Sequence, residues 1–215
     1  MYIFYMLNRE LKEYIENNII PKYAFFDNGH GIEHAKTVIE ESLKLAASCN
    51  VNLELAYVIA AYHDLGLCAG REFHHLISGK FLEADMQLQQ WFSQEEIRLM
   101  KEAVEDHRAS SKNPPRSIYG KIVAEADRDI VPLKIIKRTI QYSIANSPSN
   151  DKEHHWGNLL NHMKEKYSEG GYMKLWFENS KNSESLRKLR KIISDKHLLR
   201  KIFEELYNNE AAVIQ

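Results

Sequence analysis

The sequence predicts an all-α protein, and three observations carry that expectation. Apolar residues recur at spacings of three and four along nearly the whole chain, no alternating run bounded by turn residues suggests a strand, and helix-start signals precede periodic segments. With 215 residues of which 44% are hydrophobic, the chain is long enough for one sizeable core and short for two full domains, so one domain is expected.

The elements follow in order. A first helix is expected over about 6–20, stopped near Pro21, and a second begins in "DNGHGIEHA" and runs to about 49. The third, over about 52–65, is apolar on all sides and should be buried, with Gly66 and Gly70 breaking it. A shorter helix lies in "FHHLISGKFLEAD", and "SQEEIRLMKEAVEDH" opens with a capping box, Ser93 with Glu96, and ends at His107. "RASSKNPPRS" is a polar loop, "IYGKIVAEADRDI" is helical, and Pro132 fits the first turn of the next helix. About 150–208 is again helical, interrupted at "SEGGY". The polar "NSPSND" at 146–151 is the one plausible joint.

Charge is balanced, with 29 Lys plus Arg against 30 Asp plus Glu, so no global field favours polymeric nucleic acid or a membrane surface. The N-terminal "MYIFYMLNRELKEY" lacks a basic n-region and a small-residue cleavage site, and no apolar run approaches a membrane span. A cytoplasmic location is expected, with room for a homo-oligomer. The two cysteines, Cys49 and Cys68, form no CxxC motif and read as small buried hydrophobes.

Histidine is the unusual component: six of the ten (30, 34, 63, 74, 75 and 107) precede residue 108. The apolar run "LELAYVIAAY" delivers His63 and Asp64 side by side at its end. One buried, unsatisfied polar group costs roughly 2–7 kcal/mol, so a partner must be waiting. Neutral imidazoles and carboxylates converging from different helices suit a metal. The candidates are His34, His63, Asp64, His74, His75, His107 and Asp127. His154, His155 and His162 have no accompanying carboxylate pattern and read as packing or solvated residues.

"GHGIEHA", "YHDLG" and "AEADRD" supply a first His (His34), an adjacent His-Asp (His63, Asp64) and a distant Asp (Asp127). In that order they resemble the HD superfamily of metal-dependent phosphohydrolases, over about residues 25–132. The resemblance is to small stand-alone bacterial members, and it implies a helical bundle of the HD-domain type: 22–147 as the core, with a helix in 1–21 and additional C-terminal helices in 148–215 packing on the same domain. "HDLGL" lacks the HDxxED carboxylates of ppGpp hydrolases, and no GYP signature of cyclic-di-GMP hydrolases follows His107.

Members with two further histidines hold two ions. By similarity His74 fills the first of these positions, with Ser78 in the small position four residues on, and His107 fills the second; His75, about 100° round the helix, is the alternative to His74. The resemblance then implies one ion on His34, His63, Asp64 and Asp127 and a second on His74 and His107, with Asp64 bridging, and it makes Asp64 and His63 central to catalysis. Two such ions, about 3.5–4 Å apart, activate water against a phosphorus atom. The donor set suits divalent Fe or Mn, with Zn, Ni or Co as alternatives. A small phosphorylated substrate, a nucleotide or other metabolite, would be cleaved at an ester or anhydride, with His30, His75, Lys80 and Arg108 as candidate substrate contacts. The competing readings are a di-iron oxygenase on the same six ligands and a non-catalytic metal- or nucleotide-binding module.

Overall fold

A computed structural model describes residues 7–27, 29–108, 111, 113–147 and 151–210, and the backbone of 211–214. Ten α-helices and no strand occur among the described residues, so the all-α expectation holds. The expected start of the first helix, near residue 6, and part of the loop after His107 lie outside them. No helix among the described residues is long and apolar enough to cross a membrane.

The chain forms two compact units, Met1–Arg128 and Asp129–Gln215. The sequence suggested a joint at 146–151, but the helix before that segment belongs with those after it. Its apolar stripe of Ile135, Ile136 and Ile140 packs with Leu159, Met163, Leu189, Leu199 and Phe203.

In the first unit, α1 (Arg9–Asn18) is capped by Asn8, whose side chain accepts the Leu11 amide, and it buries Leu11 and Ile15. The helix ends just before Pro21, and the chain continues as a 3-10 turn, Ile20–Phe25, that buries Tyr23. After α2 (Ile32–Ser48) comes α3 (Leu53–Tyr62), capped by Asn52, with every residue from Leu55 to Tyr62 buried. This helix packs against α2 and against α4 (His74–Ala84), α5 (Gln94–Glu105) and α6 (Ile118–Ala126). Each large aliphatic side chain buried there contributes about 1.5–3 kcal/mol, which makes α3 the rigid centre of the unit.

The capping box at Ser93 and Glu96 is present, and α5 ends at Glu105, leaving His107 in the turn beyond it. A 3-10 turn, Leu65–Ala69, follows α3 and buries only Leu65 and Gly66. Cys68 is therefore exposed, and Cys49 is half-buried, which corrects the expectation that both are core residues.

The second unit holds α7 (Pro132–Asn146), α8 (Lys152–His162), α9 (Lys181–Ser194) and α10 (Lys196–Ile214). Pro132 stands in the first turn of α7, as expected. A single π-helical turn, Met163–Tyr167, extends α8. Gly171 is required just beyond it, because a Cβ there would lie 2.5 Å from the Lys166 carbonyl oxygen. His155 is buried and pairs with Ser143 at 2.8 Å, His154 pairs with Ser147 at 2.8 Å, and His162 stacks edge-on with Tyr167.

Candidate metal centre

The expected ligands come from the ends of five helices. His34 is in the first turn of α2, His63 and Asp64 follow Tyr62 at the end of α3, and His74 opens α4. His107 lies just beyond α5, and Asp127 is the first residue past α6. Helix ends let side chains converge without threading one helix through another. The donor atoms form two groups, His34, His63, Asp64 and Asp127, and Asp64, His74 and His107, and within each group they lie within 4.8 Å of one another.

Three of the histidines are oriented by the backbone carbonyl three residues earlier in the chain. His63 Nδ1 lies 2.7 Å from Ala60 O, His74 Nδ1 2.7 Å from Arg71 O, and His107 Nδ1 2.6 Å from Val104 O. A carbonyl oxygen only accepts, so each Nδ1 carries a hydrogen and each Nε2 of the neutral ring is a bare lone pair. Those of His74 and His107 face each other, with the two Nε2 atoms 3.1 Å apart, and His34 Nε2 lies 3.2 Å from His63 Nε2. Two neutral rings placed this way would set acceptor against acceptor, a repulsion that a proton or a metal cation between them relieves. The donor set therefore fits divalent metal, and backbone carbonyls that fix the outer ring nitrogen are the usual support for histidine ligands.

Asp64 links the two groups. Its Oδ2 lies 3.3 Å from His63 Nε2 and 3.6 Å from His34 Nε2, while its Oδ1 lies 3.4 Å from His107 Nε2 and 3.5 Å from His74 Nε2. Asp127 Oδ1 closes the first group at 3.2 Å from His34 Nε2. Burial alone would raise the Asp64 carboxyl, but the charge of His63 and the hydrogen bonds of His107 and His34 outweigh it and hold it well below the usual carboxylate range. The same balance lowers Asp127, where burial is outweighed by His34 and the charges of His63 and His107. Burial would lower His34, yet Asp127 and Asp64 raise it to about 9. Burial dominates at His74, whose pKa is lowered.

The remaining candidates are placed unevenly. His30 Nδ1 lies 2.8 Å from Asp27 Oδ1, and its ring is 5.8 Å from that of His34, centroid to centroid. Arg71 joins this group, donating to Asp27 Oδ2 at 2.9 Å. His75 stacks edge-on with His74 at 5.5 Å, and its buried Nδ1 has no hydrogen-bond partner among the described residues. Burial, with the charges of His107 and His74, pushes His75 down to about 4. Arg108 donates to Glu72 O at 2.7 Å, and its charge bears on His74 and His75. Lys80 is exposed on α4, and no hydrogen bond or ion pair joins it to the centre among the described residues.

Two features escaped the sequence reading. The Gly66 amide donates to Ser78 Oγ at 2.8 Å, tying the turn after Asp64 to α4. Tyr23 places its hydroxyl 3.0 Å from Ala61 O and 3.2 Å from the Asp64 amide. Burial and the nearby Asp64 carboxylate hold this phenol well above its usual range, so it keeps its proton.

Residues 31–130 match the model of the HD domain family. That segment has the HD-domain fold, and its clustered His and Asp residues are able to hold metal. Among solved structures the chain is similar to Bacillus subtilis YpgQ in complex with ADP (16% identity, TM-score 0.57, covering 91% of this chain and 95% of that one). A Lactobacillus plantarum protein has 17% identity and a TM-score of 0.59, with 96% of this chain and 100% of that one covered. No curated protein sequence matches the chain.

Proposed function

We propose that the protein is a two-metal phosphohydrolase that cleaves a phosphate ester or anhydride in a nucleotide or other small phosphorylated metabolite. The observation that carries this reading is the Asp64 carboxylate, which turns a separate oxygen to each of two histidine groups. A single-metal site has no use for the His74–His107 pair on the far oxygen.

His34, His63, Asp64 and Asp127 would hold one divalent ion, and His74, His107 and the shared Asp64 a second; Fe and Mn are the favoured identities. Such ions activate water as a nucleophile and neutralise charge on phosphoryl oxygens. The protein's own groups supply orientation: the Ala60, Arg71 and Val104 carbonyls hold three imidazoles in the tautomer that offers Nε2 inward. Arg108, half-buried beside His74 and His75, offers a positive charge to a phosphate. The ring of His75, neutral at physiological pH, and His30, beside His34, would offer hydrogen bonds to the rest of the substrate. The similarity to a structure of YpgQ that contains ADP supports nucleotides as the first compounds to try. Lys80 has no such support.

The test is a screen of protein loaded with Mn2+ or Fe2+ on nucleotides and generic phosphatase substrates, beside Asp64→Ala. Metal-dependent release of phosphate or pyrophosphate that disappears in the variant supports the reading. Full activity in Asp64→Ala, or oxygen uptake in place of hydrolysis, overturns it.

A further inference from the structure

Tyr23 stands on the 3-10 turn Ile20–Phe25 with its ring fully enclosed. A tyrosine hydroxyl has one proton to donate and oxygen lone pairs that accept. Here the proton goes to Ala61 O at 3.0 Å, and the oxygen accepts the Asp64 amide at 3.2 Å while lying 3.5 Å from His63 Nδ1. Every hydrogen-bonding capacity of this buried group is turned on the segment that forms the His-Asp pair.

The end of α3 needs such support. A helix C-terminus leaves its last carbonyls without partners inside the helix, and here the C-cap is His63 itself, with no glycine or basic side chain in the last turn. A few tenths of an ångström of fraying there would rotate the Asp64 carboxylate away from one of its two histidine groups. Tyr23 supplies the missing cap from 38 residues away in the chain.

We propose that Tyr23 is a positioning residue for the metal centre: its hydroxyl fixes the backbone at Ala61 and Asp64 so that Asp64 presents one oxygen to each half of the site. This rests on the metal-centre reading above. The ring has separate work, packing edge-on with Phe26 at 5.5 Å and tilted against His63 at 6.1 Å. Tyr23→Phe therefore removes the hydroxyl and leaves the packing.

The experiment is a calorimetric titration of the full chain with Mn2+ alone, alongside thermal unfolding of the metal-free protein. Tyr23→Phe is compared with Tyr57→Phe, which removes another buried hydroxyl from α3 without touching the centre. Groups that support metal ligands from behind set affinity by about 10–100-fold, so Tyr23→Phe is expected to weaken Mn2+ binding by about tenfold or more while Tyr57→Phe leaves it unchanged. A Tyr23→Phe protein that melts earlier when metal-free yet binds Mn2+ as the wild type does overturns the proposal, because its role is then structural alone. If Tyr23→Phe does not fold, 3-fluorotyrosine at position 23, a weaker acceptor of similar volume, takes its place; weaker Mn2+ binding supports the proposal and unchanged binding overturns it. Wild-type protein that binds no Mn2+ overturns the metal-centre reading and this proposal with it, an outcome distinct from failure in the variant alone.

Discussion

The Gly66 amide donates to the Ser78 hydroxyl at 2.8 Å, and through this contact α4, which carries His74, is docked on the turn that follows Asp64. The approach leaves no space for a side chain at 66: a Cβ there would lie 2.1 Å from His74 O and 2.7 Å from Ser78 N, backbone atoms that give way only if α4 moves. Gly66→Ala is therefore expected to destabilise the protein by about 3 kcal/mol, the upper part of the usual overpacking range. Ser78→Ala, which orphans a buried amide, is expected to lose about 1–3 kcal/mol. Urea unfolding of the metal-free variants checks both values.

His74 and His75 are adjacent, but only His74 aims a lone pair at His107, at 3.1 Å. Replacing His74 with alanine is expected to remove one of two bound Mn2+ equivalents. His75→Ala is expected to keep both and to lower hydrolysis through substrate binding. Equilibrium dialysis with elemental analysis distinguishes them, and loss of metal from His75→Ala would exchange their roles.

Alkaline stability has an identifiable source in the first unit. Tyr14 and Tyr62 both donate to Asp85 Oδ2, each at 2.5 Å. Burial, then the hydrogen bond and charge of Asp85, raises Tyr14 to about 12 and Tyr62 higher still. An unfolded tyrosine titrates near ~10, so the folded state holds these protons more tightly. Their contribution is complete below about pH 10 and is lost as pH rises through about 12. Urea midpoints measured across that window should fall with pH, and Tyr14→Phe should show a shallower fall; an identical slope in the variant would refute the assignment.

The capping box at the start of α5 serves as a stability probe away from the metal centre. The Ser93 side chain accepts the Glu96 amide at 3.3 Å, and Glu96 Oε2 accepts the Ser93 amide at 2.9 Å. Ser93→Ala should lower stability by about 1 kcal/mol and leave Mn2+ affinity untouched, as two-state urea unfolding and metal titration would show.

How much of this could be read from the chain depends on the range of the interaction. The apolar periodicity of 53–62, the Ser93 box and Pro132 are local signals, and the helices stand where those signals put them. Residue type and order mark His34, His63, Asp64, His107 and Asp127 and leave His74 and His75 as alternatives, between which only the family resemblance favours His74; the structure brings the donor atoms of His74 and the other five together. What stayed hidden depends on distant partners. Nothing beside Tyr23 in the sequence marks its hydroxyl as a cap for α3, because its meaning comes from Ala61 and Asp64. The placement of α7 in the second unit likewise depends on Leu199 and Phe203, far along the chain. Cys68 is exposed, against the expectation from its apolar character, because the turn that carries it buries only its first two residues.

The number of metal ions bound per chain bears on everything proposed for Asp64. Titrating metal-free protein with Mn2+, and counting bound metal by elemental analysis after dialysis, should give two equivalents for the wild type. His107→Ala should give one, because His107 serves only the group that shares Asp64 Oδ1 with His74. A single equivalent in the wild type, unchanged in His107→Ala, would contradict the bridging role of Asp64 and the two-metal reading built on it.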